Sequence, residues 1–218
     1  MDNYKNVKKI RGIITADVIG STQIPTEERD LLPKTLRDLE NELQKVSPIR
    51  LEMYRGDSFQ VVVDRYEKTM FIATLLRLGL KKQNIGSPKM LDARMSVGIG
   101  TIEYENPSVG QSDGEAFVLS GRAFETIGKK RLIAQTNNQC LNDELQILTL
   151  VLDELLTSVS KRQSEVVYEQ FINPKEQQKM IAKTMGVKPS VISKSLHAAR
   201  AKVIIAILSR MEIILTNY

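Results

Sequence analysis

Two aspartates stand where their neighbours are apolar. Asp17 closes the run Ile13-Ile14-Thr15-Ala16 and is followed by Val18-Ile19-Gly20-Ser21-Thr22, and Asp57 follows Gly56 between two runs rich in apolar residues, 51–54 and 59–63. An ionised carboxylate near a core is costly unless a cation or hydrogen-bond donors compensate it. The first pattern is a buried strand that carries its acid to its own end, and the second is the turn of a hairpin. With the hairpin beside the strand, both acids meet at one sheet edge, and a pair of carboxylates there is suited to Mg²⁺ or Mn²⁺. Taken singly, each acid is equally a capping or turn aspartate. The single cysteine, Cys140, and the single histidine, His197, offer neither a disulfide framework nor a zinc cluster.

The elements that must position these acids follow from periodicity. Residues 26–46 place Leu32, Leu36, Leu39 and Leu43 at helical spacing behind Thr26 as a cap, with Pro33 early enough to be tolerated. A hairpin over 49–63 follows, then a second helix over 66–80 with Phe71, Ile72, Leu75, Leu76 and Leu78 apolar, ended by Gly86-Ser87-Pro88. Residues 93–102 alternate apolar and small side chains, a fourth strand whose Gly98 and Gly100 admit a close neighbour. The order β-α-β-β-α-β predicts a ferredoxin-like α+β domain, with helices on one face of a mostly antiparallel sheet. Beyond a Gly/Pro/Asn-rich loop at 104–114, residues 115–135 keep helical spacing at Phe117, Val118, Gly121, Phe124 and Ile127, and Gly121 suits a place where another element packs closely. Asn137 and Asn138 mark a boundary, and Asn142 is the expected cap of a leucine-rich helix.

The last third speaks of a different partner. Basic and acidic residues number 21 and 18 up to Cys140, none and 4 over 141–160, and 10 and 4 over 161–218, so the positive charge gathers at the C-terminus, which suits a polyanion. Residues 160–172 read as a helix ended by Asn173-Pro174, 174–186 as the next, and 187–214 as one long last helix. Ala182 at a helix contact, Gly186 at a left-handed turn, Val187 after it, and Ile192 and Leu196 as anchors match a helix-turn-helix, against a plain helical hairpin. Those core positions leave Lys188, Ser190, Ser193, Lys194 and His197 on the face a major groove would meet, with Arg200 and Lys202 toward phosphates. The domain organisation expected is 1–138 for the ferredoxin-like unit, 139–160 for a connector helix and 161–218 for an all-α helix-turn-helix unit. With 42% hydrophobic and 26% charged residues, a disordered chain is excluded. No apolar run approaches the roughly 20 residues of a membrane helix, and the N-terminus runs into a strand without a signal-peptide core, which predicts a cytoplasmic protein with no membrane partner.

Taken together, ITADVIGST, YRGDSFQVVV, ARMSVGIGTI and SDGEAFVLSGRAFE, in this order, resemble the SatD family, which joins such a core to a C-terminal helix-turn-helix. The core is also similar to class III nucleotidyl cyclase domains. That resemblance implies a ferredoxin-like fold, metal-binding at Asp17 and Asp57, and nucleotide contacts at Ser21 and at Arg122, where cyclases keep a transition-state arginine. The chain departs from the cyclase pattern at Met53, where adenylate cyclases place a base-recognising lysine, at Val118, where they keep an asparagine, and at Gln111, near the adenine-selecting aspartate. Methionine and valine offer no hydrogen bond to a base or ribose.

Three readings of different class remain. One is a DNA-binding transcription regulator, with double-stranded DNA as its partner, a degenerate cyclase-like sensory domain and a homodimeric state supported by the apolar run 203–214. A second is a divergent metal-dependent nucleotidyl cyclase with an appended helix-turn-helix. A third, plainer reading is an interaction module that uses neither DNA nor nucleotide.

Overall fold

The computed structural model describes residues 9–83 and 90–218, so the expected start of the chain and the stop at Gly86-Ser87-Pro88 lie outside the described residues. In chain order come β1 (Lys9–Ile19), α1 (Leu31–Leu43), β2 (Ile49–Arg55), β3 (Ser58–Val63), α2 (Thr69–Lys81) and β4 (Asp92–Ile102). They are followed by α3 (Glu115–Thr126), β5 (Leu132–Gln135), α4 (Gln139–Ser158), α5 (Lys161–Ile172), α6 (Gln178–Thr184), α7 (Pro189–Ala198) and α8 (Ala201–Thr216). The chain is a mixed α+β protein on one five-stranded sheet of order β2-β3-β1-β4-β5. The central β1 pairs antiparallel with β3 and β4, and β5 pairs parallel with β4. Among the described residues no helix is long and apolar enough to cross a membrane.

The alternation of β1 decides the layers. Ile14, Ala16 and Val18 join Leu36 and Leu39 of α1 and Leu75 and Leu76 of α2 in the main core, and that same apolar cluster continues into Leu152 of α4, Tyr168 of α5 and Leu208 of α8. Ile13 points the other way, toward Val62, Ile102 and Ala116 at the start of α3. Asp17 shares this second face by parity with Ile13. There α3 sits so close to β4 that a Cβ on Gly98 would lie 2.3 Å from the Ala116 carbonyl oxygen and 2.5 Å from the Ser120 nitrogen.

Several boundaries differ from the sequence expectation. Thr26 opens a single 3₁₀ turn, and α1 starts only at Leu31, which puts Pro33 in the first turn, where the missing N–H has no intrahelical partner to lose. The span 115–135 is not one helix: Gly128, at φ 59°, turns the chain out of α3, and residues 132–135 take up parallel pairing with β4. Asn138, not Asn142, caps α4 by accepting from the Leu141 N–H, while Asn142 is buried and bonds both ways with Thr136. The last helix breaks at Arg200, a non-glycine residue at φ 56°, so that α8 folds back and buries Ile204, Leu208, Met211 and Leu215. A Cβ added at Gly121 would meet no other element of the described residues within 4 Å, so the close packing expected there is not found.

The two glycines thus carry opposite expectations. Gly98→Ala should destabilise by about 1–3 kcal/mol, because the methyl would press on backbone atoms that cannot swing aside. Gly121→Ala should stabilise by about 0.5–1 kcal/mol, because it lowers backbone entropy in mid-helix without a clash. Urea denaturation of both variants measures the difference.

Candidate functional site

The end of β1, the β2–β3 turn, the start of β4 and the loop before β5 converge on one cavity of about 360 Å³, lined by Asp17, Val18, Ile19, Asp57, Arg94, Gly128, Lys129, Lys130 and Arg131. Antiparallel pairing brings the two acids there: Asp17 stands opposite Ser58, and the Val18 N–H donates to the Asp57 carbonyl at 3.0 Å. Gly56, at φ 54°, makes the tight turn that presents Asp57. Ser58 Oγ donates to Asp17 Oδ1 at 2.5 Å, Arg94 Nη2 to Asp17 Oδ2 at 3.2 Å, and Ser21 Oγ to Asp57 Oδ2 at 2.6 Å. Arg94 also lies over the Phe124 ring, 5.1 Å from its centroid. The cavity therefore holds four cations against two carboxylates. Ser21 meets the site through Asp57, whereas Arg122 lies on the exposed side of α3 and is not among the residues lining the cavity.

The cations were not foreseen, and neither was what stands behind them. Arg77 of α2, fully buried, donates to both oxygens of Asp92 at 2.9 and 3.0 Å, to Asp153 of α4 at 2.7 Å and to Thr157 at 3.0 Å. Arg131 adds its Nη1 to Asp92 at 2.8 Å and its backbone N–H to Asp153 at 2.8 Å. Lys81, also fully buried, donates to the carbonyls of Leu156 and Thr157 at the end of α4. A readable signal existed: Arg77 and Lys81 are four residues apart in an otherwise apolar helix, so they share a face that must be supplied with acids.

Burial pushes the Lys81 ammonium down to about 8, against the attraction of Asp92. The unfolded chain binds this proton up to about pH 10.4 and the folded chain releases it near 8, so the folded state gains stability as pH rises between them. Relative to Lys81→Met, the natural protein should gain up to about 1.4 kcal/mol per pH unit over pH 8 to 10, read from paired denaturation curves.

The second candidate region is the helical group α5 to α7. Val166, Ile181, Ala182 and Ile192 form its small core, with Met185, Val187 and Leu196 packed against it. Gly186, at φ 64°, ends α6: its N–H donates to the Lys183 carbonyl at 3.2 Å and that of Val187 to the Ala182 carbonyl at 2.9 Å, the two bonds of a Schellman motif. Pro189 then opens α7 in its first turn, where proline is pre-shaped for the helix. Lys188, Ser190, Ser193, Lys194, His197, Arg200 and Lys202 are all exposed. The group is seated on the sheet domain by Tyr168, buried, whose hydroxyl donates to Glu42 at 2.5 Å while Lys82 lies 3.6 Å from its ring centroid. Phe71 stacks on Phe171, with centroids 6.0 Å apart.

No family model and no curated protein matches the chain. Two solved structures of a bacterial light-regulated adenylyl cyclase are similar to it, each at 12% identity and a TM-score of 0.39, over 57% and 58% of this chain. The match spans less than half of those chains, 42% and 43%.

Proposed function

We propose that the chain is a cytoplasmic, homodimeric transcription regulator that binds double-stranded DNA through α5 to α7 as a helix-turn-helix. Its sheet acts as a degenerate, ferredoxin-like nucleotidyl-cyclase-like sensory domain, a reading supported by the neighbour order β4-β1-β3-β2 within the five strands. One observation carries this reading: the core of α5 to α7 is closed by Ala182 and Ile192, and the face left open on α7 bears Lys188, Ser190, Ser193, Lys194 and His197, all exposed among the described residues. An exposed helix with basic and hydroxyl side chains is what a major groove and its phosphates accept. The SatD resemblance of the sequence motifs supports the pairing of such a unit with a cyclase-like core. The test is fluorescence anisotropy of the full chain with labelled duplexes at low ionic strength. Salt-sensitive association is expected, and its absence with folded protein overturns the proposal in favour of an interaction module.

A second reading, a divergent metal-dependent cyclase, draws on the meeting of Asp17 and Asp57 in one cavity. Three of their four carboxylate oxygens already accept hydrogen bonds, and among the described residues no group of three or more His, Cys, Asp or Glu could hold a metal ion. The pair fits Mg²⁺ or Mn²⁺ only when phosphate oxygens and water complete the shell. Bound that way, the ion would neutralise phosphate charge. Base recognition is where this reading is weak, because Val118 is exposed on α3 and Met53 offers no donor. Each missing stabilising donor costs roughly 10² to 10³ in rate. Incubation with ATP or GTP and either metal is expected to give no cyclic product, and robust turnover would make the enzyme the primary reading.

A further inference from the structure

The cavity faces the sheet domain, yet one of its walls is wired to the helices beyond it. Lys129 and Lys130 stand exposed at its mouth, and neither has an ion-pair partner among the described residues. Arg131, half-exposed, lines the cavity and at the same time holds Asp92, which is almost fully enclosed. Behind it Arg77, Lys81 and Arg131 face, among the described residues, the two acids Asp92 and Asp153, so the cluster keeps one positive charge in excess. Asp17 and Asp57 are already engaged by Ser58, Arg94 and Ser21. The charge lining the cavity is therefore net positive, four cations against two carboxylates that are already engaged.

We propose that the loop Gly128-Lys129-Lys130-Arg131 is a binding site for an oligophosphate, the di- or triphosphate chain of a small ligand, and that Arg131 transmits its arrival to the end of α4. Lys129 and Lys130 supply point charges to the phosphate chain, and the guanidinium of Arg131 offers it paired donors. Turning toward the ligand, that guanidinium leaves Asp92 to its remaining partners, Arg77, Lys81 and the Ala93 backbone N–H. Arg77 holds Asp153 and Thr157, Lys81 holds the last carbonyls of α4, and the Arg131 backbone N–H itself donates to Asp153, so the rearrangement reaches the junction with α5, where Ser160 caps the next helix. A phosphate ligand would thus bias how α5 to α7 are held. This effector role extends the sensory part of the proposed function, but its test uses no DNA, so its failure and that of DNA binding are separable.

The experiment combines calorimetric titration of the full chain with hydrogen-exchange mass spectrometry, using inorganic tripolyphosphate and ATP, each with Mg²⁺, as probes. Both should bind, with affinities within about tenfold of each other if the phosphate chain is what is recognised; binding of ATP alone would transfer recognition to its nucleoside and overturn the loop's role. Lys129→Ala/Lys130→Ala, at two exposed positions, should weaken both by tenfold or more and leave thermal stability unchanged. On saturation, amides at the end of α4 should exchange several-fold faster while those of 128–131 slow. Arg131→Gln should retain weakened binding and lose the response in α4. Absence of binding by either probe, indifference to the double lysine variant, or an α4 exchange rate unmoved by saturation would each overturn the proposal.

Discussion

Arg77→Met should lower the unfolding free energy by about 3 kcal/mol, toward the lower end of the 3–5 kcal/mol measured when one partner of a buried ion pair is removed. Methionine fills much of the space, so the loss is electrostatic. Arg77 supplies four hydrogen bonds, to Asp92, Asp153 and Thr157, and no water reaches it. Its removal leaves the Asp92 carboxylate, 2% exposed, with Arg131 at 2.8 Å, the Ala93 backbone N–H at 2.8 Å and Lys81 at 3.9 Å, which is why the cost stays below the upper limit. Asp153 keeps only the Arg131 backbone N–H and the Thr157 hydroxyl. For a chain of this size the melting temperature should fall by about 6–12 °C. A drop under about 1 kcal/mol in urea denaturation would mean that the two acids are not ionised in the folded protein. Replacing all three charged residues by apolar ones of similar volume is expected to be far milder than the single change, since buried ion pairs and hydrophobic isosteres are near parity.

That network also shows where the sequence stops being legible. The first four strands are readable because each is a run rich in apolar or alternating apolar residues, and the hairpin turn at Gly56-Asp57 marks itself between two of them. Asp17 and Asp57 were readable for the same reason, as acids at the ends of such runs. β5 was not: Leu132-Ile133-Ala134-Gln135 continues the spacing of α3, and only its pairing beside β4, a tertiary fact, makes it a strand. The cations of the cavity were hidden with it, because Lys129, Lys130 and Arg131 sit on the loop that β5 defines. Asp92 and Asp153 lie 15 and 76 residues from Arg77, and no local pattern joins them. Arg200 failed for a further reason. A left-handed non-glycine residue has no sequence signature, and the alanines on either side read as uninterrupted helix.

DNA affinity should fall by roughly 10³ between 50 and 200 mM salt, the largest effect expected of any condition tested on this protein. The reasoning is electrostatic. Lys194, Arg200 and Lys202 are exposed on α7, at the break and on α8, and ion pairs to acidic residues hold none of them among the described residues. In the proposed homodimer on DNA, Arg200 and Lys202, with Lys194 reaching a phosphate from the groove-facing side of α7, would supply about six phosphate contacts, each releasing about 0.9 counterion, so the slope of log affinity against log salt should lie near −5. Lys194→Ala should flatten it by about one unit per protomer and weaken binding to every sequence alike. Ser190→Ala should do the reverse, leaving the slope in place and relaxing preference at one base pair, because a hydroxyl in the groove reads base edges and carries no charge. The two variants together separate contacts that hold the duplex from contacts that read it. Equal loss of slope in both would mean that α7 lies along the backbone and not in the groove, and the recognition helix would have to be sought elsewhere in the chain.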